Sequence, residues 1–242
     1  ATAVLRRQTP EVPLEMRFHL TFGLRQEAQV HPVAAKPFTS RYGGLNRAEN
    51  ERRRVIFYPG CAVTLIFAEW GEAIVELLTR YGVSVYVPES NLCCGIPSAT
   101  MGELGIYQQQ VEGNFDWFDA IDDADTVITT CPTCEYGLAD MGPTATGRTS
   151  GKRFVGVVVF LEEVLGDELP TGVPLEGSTT LHVPCHYDHG KVATLKEFIR
   201  KRFATDYQDL ANQSCCGFGG TFNLQNYEDS QEVGRGKAEE VR

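Results

Sequence analysis

Residues Val55 to Cys61 read VIFYPGC, Val83 to Gly95 read VSVYVPESNLCCG, and Thr126 to Cys134 read TVITTCPTC. Each opens as a short β-type run and ends on cysteine. Between them, Leu65 to Tyr81 carries Ile66, Trp70, Ile74, Leu77 and Leu78 at helical spacing, and Leu104 to Ile121 reads as a second helix. Cys131-Pro132 begins a third. Strands alternating with helices predict an α/β fold around a parallel sheet. Ligands of such sheets sit in the loops beyond the strands. Cys61, Cys93, Cys94, Cys131 and Cys134 all fall in those loops or at helix starts, which is the placement of a site.

The same order returns later. Thr179 to Val183 predicts a strand ending in Pro184-Cys185, Val192 to Phe203 a helix, and Cys215-Cys216-Gly217 precedes another helical stretch to Arg242. Cys61 and Cys93 are 32 residues apart, Cys185 and Cys215 30. Cys93-Cys94-Gly95 and Cys215-Cys216-Gly217 superpose after a shift of 122. Two copies of one unit are the simplest account. The predicted organisation is a basic arm over 1–53, a first domain over 54–150 and a second over 151–242. The second lacks its CxxC end, whose equivalent would fall at residue 253, beyond Arg242.

Eight cysteines in 242 residues without an apolar leader fit a reducing compartment better than a disulfide framework. Bridging sequence neighbours also forces a strained ring. A lone CxxC would suggest a redox dithiol; five cysteines, partly repeated, point to metal. One zinc takes four ligands and would leave a thiol of the first set unused. An iron–sulfur cluster has several irons, so adjacent Cys93 and Cys94 could bind different ones. Zinc in one of the two copies stays as the alternative. Gly217, Gly219 and Gly220 do not form a dinucleotide loop. They read as backbone offering N–H donors to a bulky inorganic group. Of His182, His186 and His189, one is expected to hydrogen-bond near the site and the others to lie at the surface. Phe115, Trp117 and Phe118 read as core. Lys191, Lys196, Arg200, Lys201 and Arg202 read as a basic helix face.

Hydrophobic residues at 42% and charged residues at 22% describe an ordinary globular chain. The longest apolar run, Phe154 to Leu161, is far too short to span a bilayer. A chain that opens on Ala1 fits a processed or excised piece. The net charge of −10 is uneven: residues 1–54 carry ten Lys and Arg against five Glu, and the remainder is strongly acidic. An acidic body argues against nucleic acid. The basic arm suits docking to a partner or anionic headgroups, or simple solvation.

The pattern of a Cys, a spacer of thirty-odd residues, Cys-Cys-Gly, a second such spacer and CxxC resembles the cysteine-rich CCG-domain family. Cys61, Cys93-Cys94-Gly95 and Cys131-Pro132-Thr133-Cys134 satisfy it in full; Cys185 and Cys215-Cys216-Gly217 supply a second, shorter copy. Such tandem repeats resemble the B subunit of heterodisulfide reductase and the related catalytic D subunit. The wording of CPTC and of CCGFGGTF (Cys215 to Phe222) leans toward the C subunit of anaerobic glycerol-3-phosphate dehydrogenase and lactate-utilisation iron–sulfur proteins. The resemblance covers about residues 54–242. It implies two related domains in pseudo-two-fold relation and a [4Fe–4S] cluster, non-cubane in heterodisulfide reductases, on the five cysteines of the first copy. Cys185, Cys215 and Cys216 would form a second, less complete metal site. Proteins like that dehydrogenase component carry a ferredoxin segment ahead of these domains; no cysteine precedes Cys61, and residues 1–53 look like the linker that would follow it.

The function so implied is an iron–sulfur electron-transfer subunit. It would work in the cytoplasm, or at a membrane through a partner, between a flavin-containing dehydrogenase or other redox subunits and quinone or another carrier. The alternative is a catalytic disulfide reductase.

Overall fold

The computed structural model describes residues 33–90, 93–211, 214–220 and 222–241. Most of the basic arm read over 1–53 lies outside the described residues. The described chain divides into two compact units.

The first unit, residues 33–170 with 186–195, is built on a five-stranded sheet. Its strands are β1 (Gly44–Asn46), β2 (Arg53–Tyr58), β3 (Val83–Val87), β4 (Thr126–Thr129) and β5 (Arg153–Gly156), in the order β1-β3-β2-β4-β5. All neighbours are parallel except β1, which pairs antiparallel with β3. β2 therefore lies at the centre, flanked by β3 and β4. Val55 to Tyr58, Val83 to Val85 and Thr126 to Thr129 are buried throughout, as strands covered on both faces require.

Two alterations to the expected elements have local causes. The helix read over Leu65 to Tyr81 is two, α1 (Gly60–Leu65) and α2 (Ala68–Arg80). They part at Phe67, whose ψ of 50° leaves the helical region while its ring stacks on Trp70 at 4.4 Å. α3 (Ile96–Thr100) then follows the vicinal cysteines, and α4 (Leu104–Asp119) sets Tyr107, Val111, Phe115 and Phe118 on one buried stripe. That stripe covers the face of β2 carrying Ile56 and Tyr58. Phe57, pointing the other way along the strand, meets Phe38 at 5.8 Å.

The division expected after residue 150 falls later. β5 pairs with β4 from Arg153 to Gly156, so the apolar run from Phe154 belongs to the first sheet and to α7 (Val157–Val164). Between them in sequence lie α5 (Pro132–Tyr136), a π-helical turn over Gly137–Met141 and α6 (Gly142–Thr146). Residues 33–53, assigned from sequence to the arm, are part of this unit through β1 and the start of β2.

The second unit comprises 171–185 and 196–241 of the described chain. A parallel pair, β6 (Leu175–Thr179) and β7 (Ala204–Tyr207), forms its sheet. The strand expected at Thr179 to Val183 lies earlier, because its ladder ends where Thr179 pairs with Tyr207. Pro184 has no N–H with which to extend it. α8 (Val192–Arg202), whose residues 192–195 belong to the first unit, α9 (Phe222–Gln225) and α10 (Tyr227–Val241) follow.

Candidate metal centre

Three adjacent parallel strands deliver the five cysteines of the first set. Cys61 is in the first turn of α1, directly after β2. Cys93 and Cys94 follow β3, and Cys131 caps α5 after β4, with Cys134 one turn on. All five thus lie beyond the carboxyl ends of β2, β3 and β4, the crevice where such sheets place ligands. Cys94 and Cys134 are buried at 4% and 3% exposure, Cys93 and Cys131 are half-buried, and Cys61 is exposed. The eight cysteines are free thiols.

The thiols act on one another. Hydrogen bonds from the Cys134 and Cys93 thiols hold Cys94 as a thiolate, with its pKa down to about 3. The Cys134 hydrogen bond lowers Cys131 to about 6. Cys134 donates to both Cys131 and Cys94 and so keeps its own proton far above the usual range. Cys93 is raised by the hydrogen bond it gives Cys94, and Cys61 by burial and the neighbouring Cys94 and Cys131. Four sulfurs therefore form one hydrogen-bonded set, with the fifth inside its field.

The backbone is shaped around that set. Gly60 has φ of +62°, and a Cβ there would stand 2.9 Å from Cys134 Sγ, so only glycine leaves the cradle open. Gly95 has φ of +87° and donates its N–H to Cys93 Sγ at 3.4 Å. Asn114 of α4, buried, donates to the Cys93 carbonyl at 2.8 Å and to Gln110 O at 2.7 Å, fixing the vicinal turn to the helix. The Cys131 N–H is accepted by Thr129 Oγ1 at 3.3 Å. Sequence reasoning missed Tyr58, Gly60 and Asn114. The PGC wording after a strand is the one local signal for Gly60; Tyr58 and Asn114 have none.

Among the histidines, His186 Nδ1 lies 3.1 Å from Thr133 Oγ1, inside the CxxC, and its ring stacks on Tyr136 at 4.9 Å. His182 and His189 are exposed. The supposed basic helix face is largely committed: Lys191 pairs with Glu135 at 2.9 Å, Lys196 with Asp209 at 2.7 Å, and Arg202 is buried. Four of the five described arginines of the basic segment are likewise paired, Arg41 with Glu72, Arg52 with Glu168, Arg53 with Asp125, and Arg54 with Glu51 and Asp123.

In the second unit the vicinal turn repeats. Gly217 has φ of +77° and donates to Cys215 Sγ at 3.4 Å, as Gly95 does to Cys93. Ser230 Oγ, buried, donates to Gly217 O at 2.9 Å and accepts from Asn223 Nδ2 at 2.9 Å. Cys185 and Cys215 are exposed and Cys216 is half-buried.

Among the described residues, no three Cys, His, Asp or Glu side chains close on one point as a single metal ion needs. The first set spans three strand ends, has no side chain at Gly60 against Cys134 Sγ, and consists wholly of sulfur, the ligand type of iron–sulfur clusters. These residues fit a group with several metal atoms.

Residues 55–139 and 179–242 match the CCG cysteine-rich domain. The chain belongs to the CCG family. Both matched stretches carry a vicinal Cys-Cys-Gly turn. The chain is 30% identical over 195 residues to an uncharacterised iron–sulfur protein of Methanococcus maripaludis, covering 78% of this chain and 37% of the relative. It is 29% identical to the B subunit of fumarate reductase (CoM/CoB) of Methanothermobacter marburgensis, over 80% of this chain and 39% of that protein. With lactate utilization protein A of Geobacillus kaustophilus the identity is 31%, over 71% of this chain and 75% of the relative. The chain thus spans about two fifths of the two methanogen proteins. No solved structure matches it.

Proposed function

We propose that Cys61, Cys93, Cys94, Cys131 and Cys134 hold a [4Fe–4S] cluster, and that the chain is an iron–sulfur electron-transfer subunit of an oxidoreductase complex. It would relay electrons between a flavin-containing dehydrogenase or other redox subunits and quinone or another carrier. The observation that carries this reading is the convergence of five thiols beyond three adjacent parallel strands, four of them already hydrogen-bonded together. The names of the relatives, iron–sulfur proteins and a reductase subunit, support it.

When bound, the cluster supplies one-electron chemistry at a potential set by its ligands and their hydrogen bonds. The chain's own residues do the rest. Cys94 and Cys131, held as thiolates, are ligands in waiting; Cys61, Cys93 and Cys134 must release protons to join them. The vicinal Cys93 and Cys94 would be able to ligate different irons of a bound cluster. Asn114 and Gly95 fix that turn, and Gly60 keeps a side chain out of the opening. Cys185, Cys215 and Cys216 make a second metal site, with a further ligand required from outside the described residues. Free thiols throughout suit a reducing compartment such as the cytoplasm, and contact with a membrane would come through a partner. Among the described residues, no helix is long and apolar enough to cross one.

One observation favours a second reading. Cys61 is exposed and Cys93 and Cys131 only half-buried, so one side of the set faces solvent. A disulfide admitted there could be cleaved in two one-electron steps, as a disulfide reductase requires.

Anaerobic iron and acid-labile sulfide analysis with EPR decides the matter. About four irons and four sulfides on the first set, with an EPR signal on reduction or oxidation, is the expected result. Loss of that signal in Cys94→Ser should accompany it. Zinc without sulfide overturns the reading. Turnover of a disulfide by the loaded chain with an artificial donor would move the assignment to the second.

A further inference from the structure

Tyr58 closes β2, three residues before Cys61, and is fully buried. Strand alternation turns it, with Ile56, toward the core that also contains Cys94, Cys134 and Tyr107. Its ring is held edge-on against Phe118 at 5.7 Å. A Cβ on Gly60 would lie 3.9 Å from the Tyr58 ring edge and 2.9 Å from Cys134 Sγ, so the ring and that sulfur both flank Gly60. Its hydroxyl, however, has no hydrogen-bond partner, although it is buried. The other large tyrosine of this core, Tyr107, does: its hydroxyl donates to Gly137 O at 2.6 Å.

An unsatisfied buried hydroxyl is destabilising and calls for an explanation. Packing alone does not supply one, since phenylalanine would fill the same ring site without the polar atom. The hydroxyl is buried in the same core cluster as the Cys94 and Cys134 sulfurs and has no acceptor there. It is thus an O–H donor left free on the side of the core that carries the thiol set.

We propose that the Tyr58 hydroxyl donates a hydrogen bond to a sulfur of the occupied centre, a ligand thiolate or a cluster sulfide, and thereby raises its reduction potential. This rests on the cluster reading above. A donor to sulfur stabilises the more negative, reduced state and so shifts the couple upward. Tyr58 is a tuning residue: it acts on the potential through the sulfur and takes no part in ligation.

The test is Tyr58→Phe in the full chain, reconstituted anaerobically with iron and sulfide beside the unaltered protein. The variant should bind the same iron and sulfide. At the ambient potential that half-reduces the unaltered protein, its reduced-to-oxidised ratio should fall about three- to tenfold, tenfold being 59 mV for one electron. A solvent-exchangeable proton coupled to the reduced cluster in electron–nuclear double resonance should disappear with the hydroxyl. Phe118→Leu, which loosens the ring but keeps the hydroxyl, should lower stability and leave the potential in place. If Tyr58→Phe does not load, a fluorotyrosine encoded at position 58, a stronger donor of the same shape, must move the potential upward. A loaded Tyr58→Phe protein with unchanged potential and proton coupling, or a fluorotyrosine without effect, overturns the role of Tyr58 alone. An unaltered chain that takes up no iron overturns the cluster reading and this inference with it.

Discussion

Cys134 sits between two acceptors, and that arrangement makes its neighbours unequal to ordinary thiols. With a pKa of about 6, Cys131 is a thiolate above pH 6 and loses that charge as the pH falls through 6. An unperturbed thiol titrates near 8.5. In the metal-free protein, alkylation of Cys131 should therefore be nearly flat between pH 7 and 9, where an ordinary thiol rises more than about tenfold, and should drop below pH 6. Mass spectrometry of the labelled peptide reads this out; a tenfold rise at Cys131 over that range would refute the shared-proton arrangement. The sulfur chemistry was legible residue by residue, because thiols are few and their type names their ligands. Gly60 was not, because its importance lies in the 2.9 Å between an absent Cβ and a sulfur 74 residues later in the chain. Asn114 was hidden for the same reason: a helix-interior amide reads as a surface residue until its carbonyl partner on Cys93 is in place.

α4 links the core to the site. Of its stripe of Tyr107, Val111, Phe115 and Phe118, the sequence reading named Phe115 and Phe118 as core together with Trp117, which is only half-buried against it, and its Asn114 anchors the vicinal turn. Phe118 is fully buried and touches Tyr58, Trp117 and Phe154 at ring distances of 5.5 to 5.7 Å. Phe118→Ala should cost the first unit about 3–5 kcal/mol, by transfer and cavity terms together. Urea unfolding followed by tryptophan fluorescence is well placed to measure it, since Trp70 and Trp117 both lie in that unit. A loss below about 1 kcal/mol would mean that the stripe is not the core its burial indicates. The edges of the sheet were harder to read. β1 is three residues long, and β5 opens an apolar run that a sequence reading cannot divide between strand and helix.

Over the whole chain, the uneven charge suggested a surface awaiting an anionic partner. Within the first unit, Arg41, Arg52, Arg53 and Arg54 of that basic segment instead pair with acidic side chains of the same unit. These pairs are exposed or half-exposed, and such pairs contribute about 0–1 kcal/mol each and are screened by salt. Raising sodium chloride from about 0.05 to 0.5 M should therefore lower the urea stability of the metal-free first unit by less than about 2 kcal/mol. A much larger loss would show the pairs to be structural. The repeat, the alternation of strand and helix, and the two Cys-Cys-Gly turns were determined by the sequence alone, since spacing, periodicity and thiol content are properties of the chain in one dimension. The order β1-β3-β2-β4-β5 was decided only by the tertiary structure. That order sets β3, β2 and β4 side by side, so cysteines spread over 74 residues converge, Gly60 lies against Cys134, and the Tyr58 hydroxyl is buried without a partner. Those approaches depend on which strands neighbour one another, and hydrophobic pattern specifies that a strand is buried without specifying its neighbour.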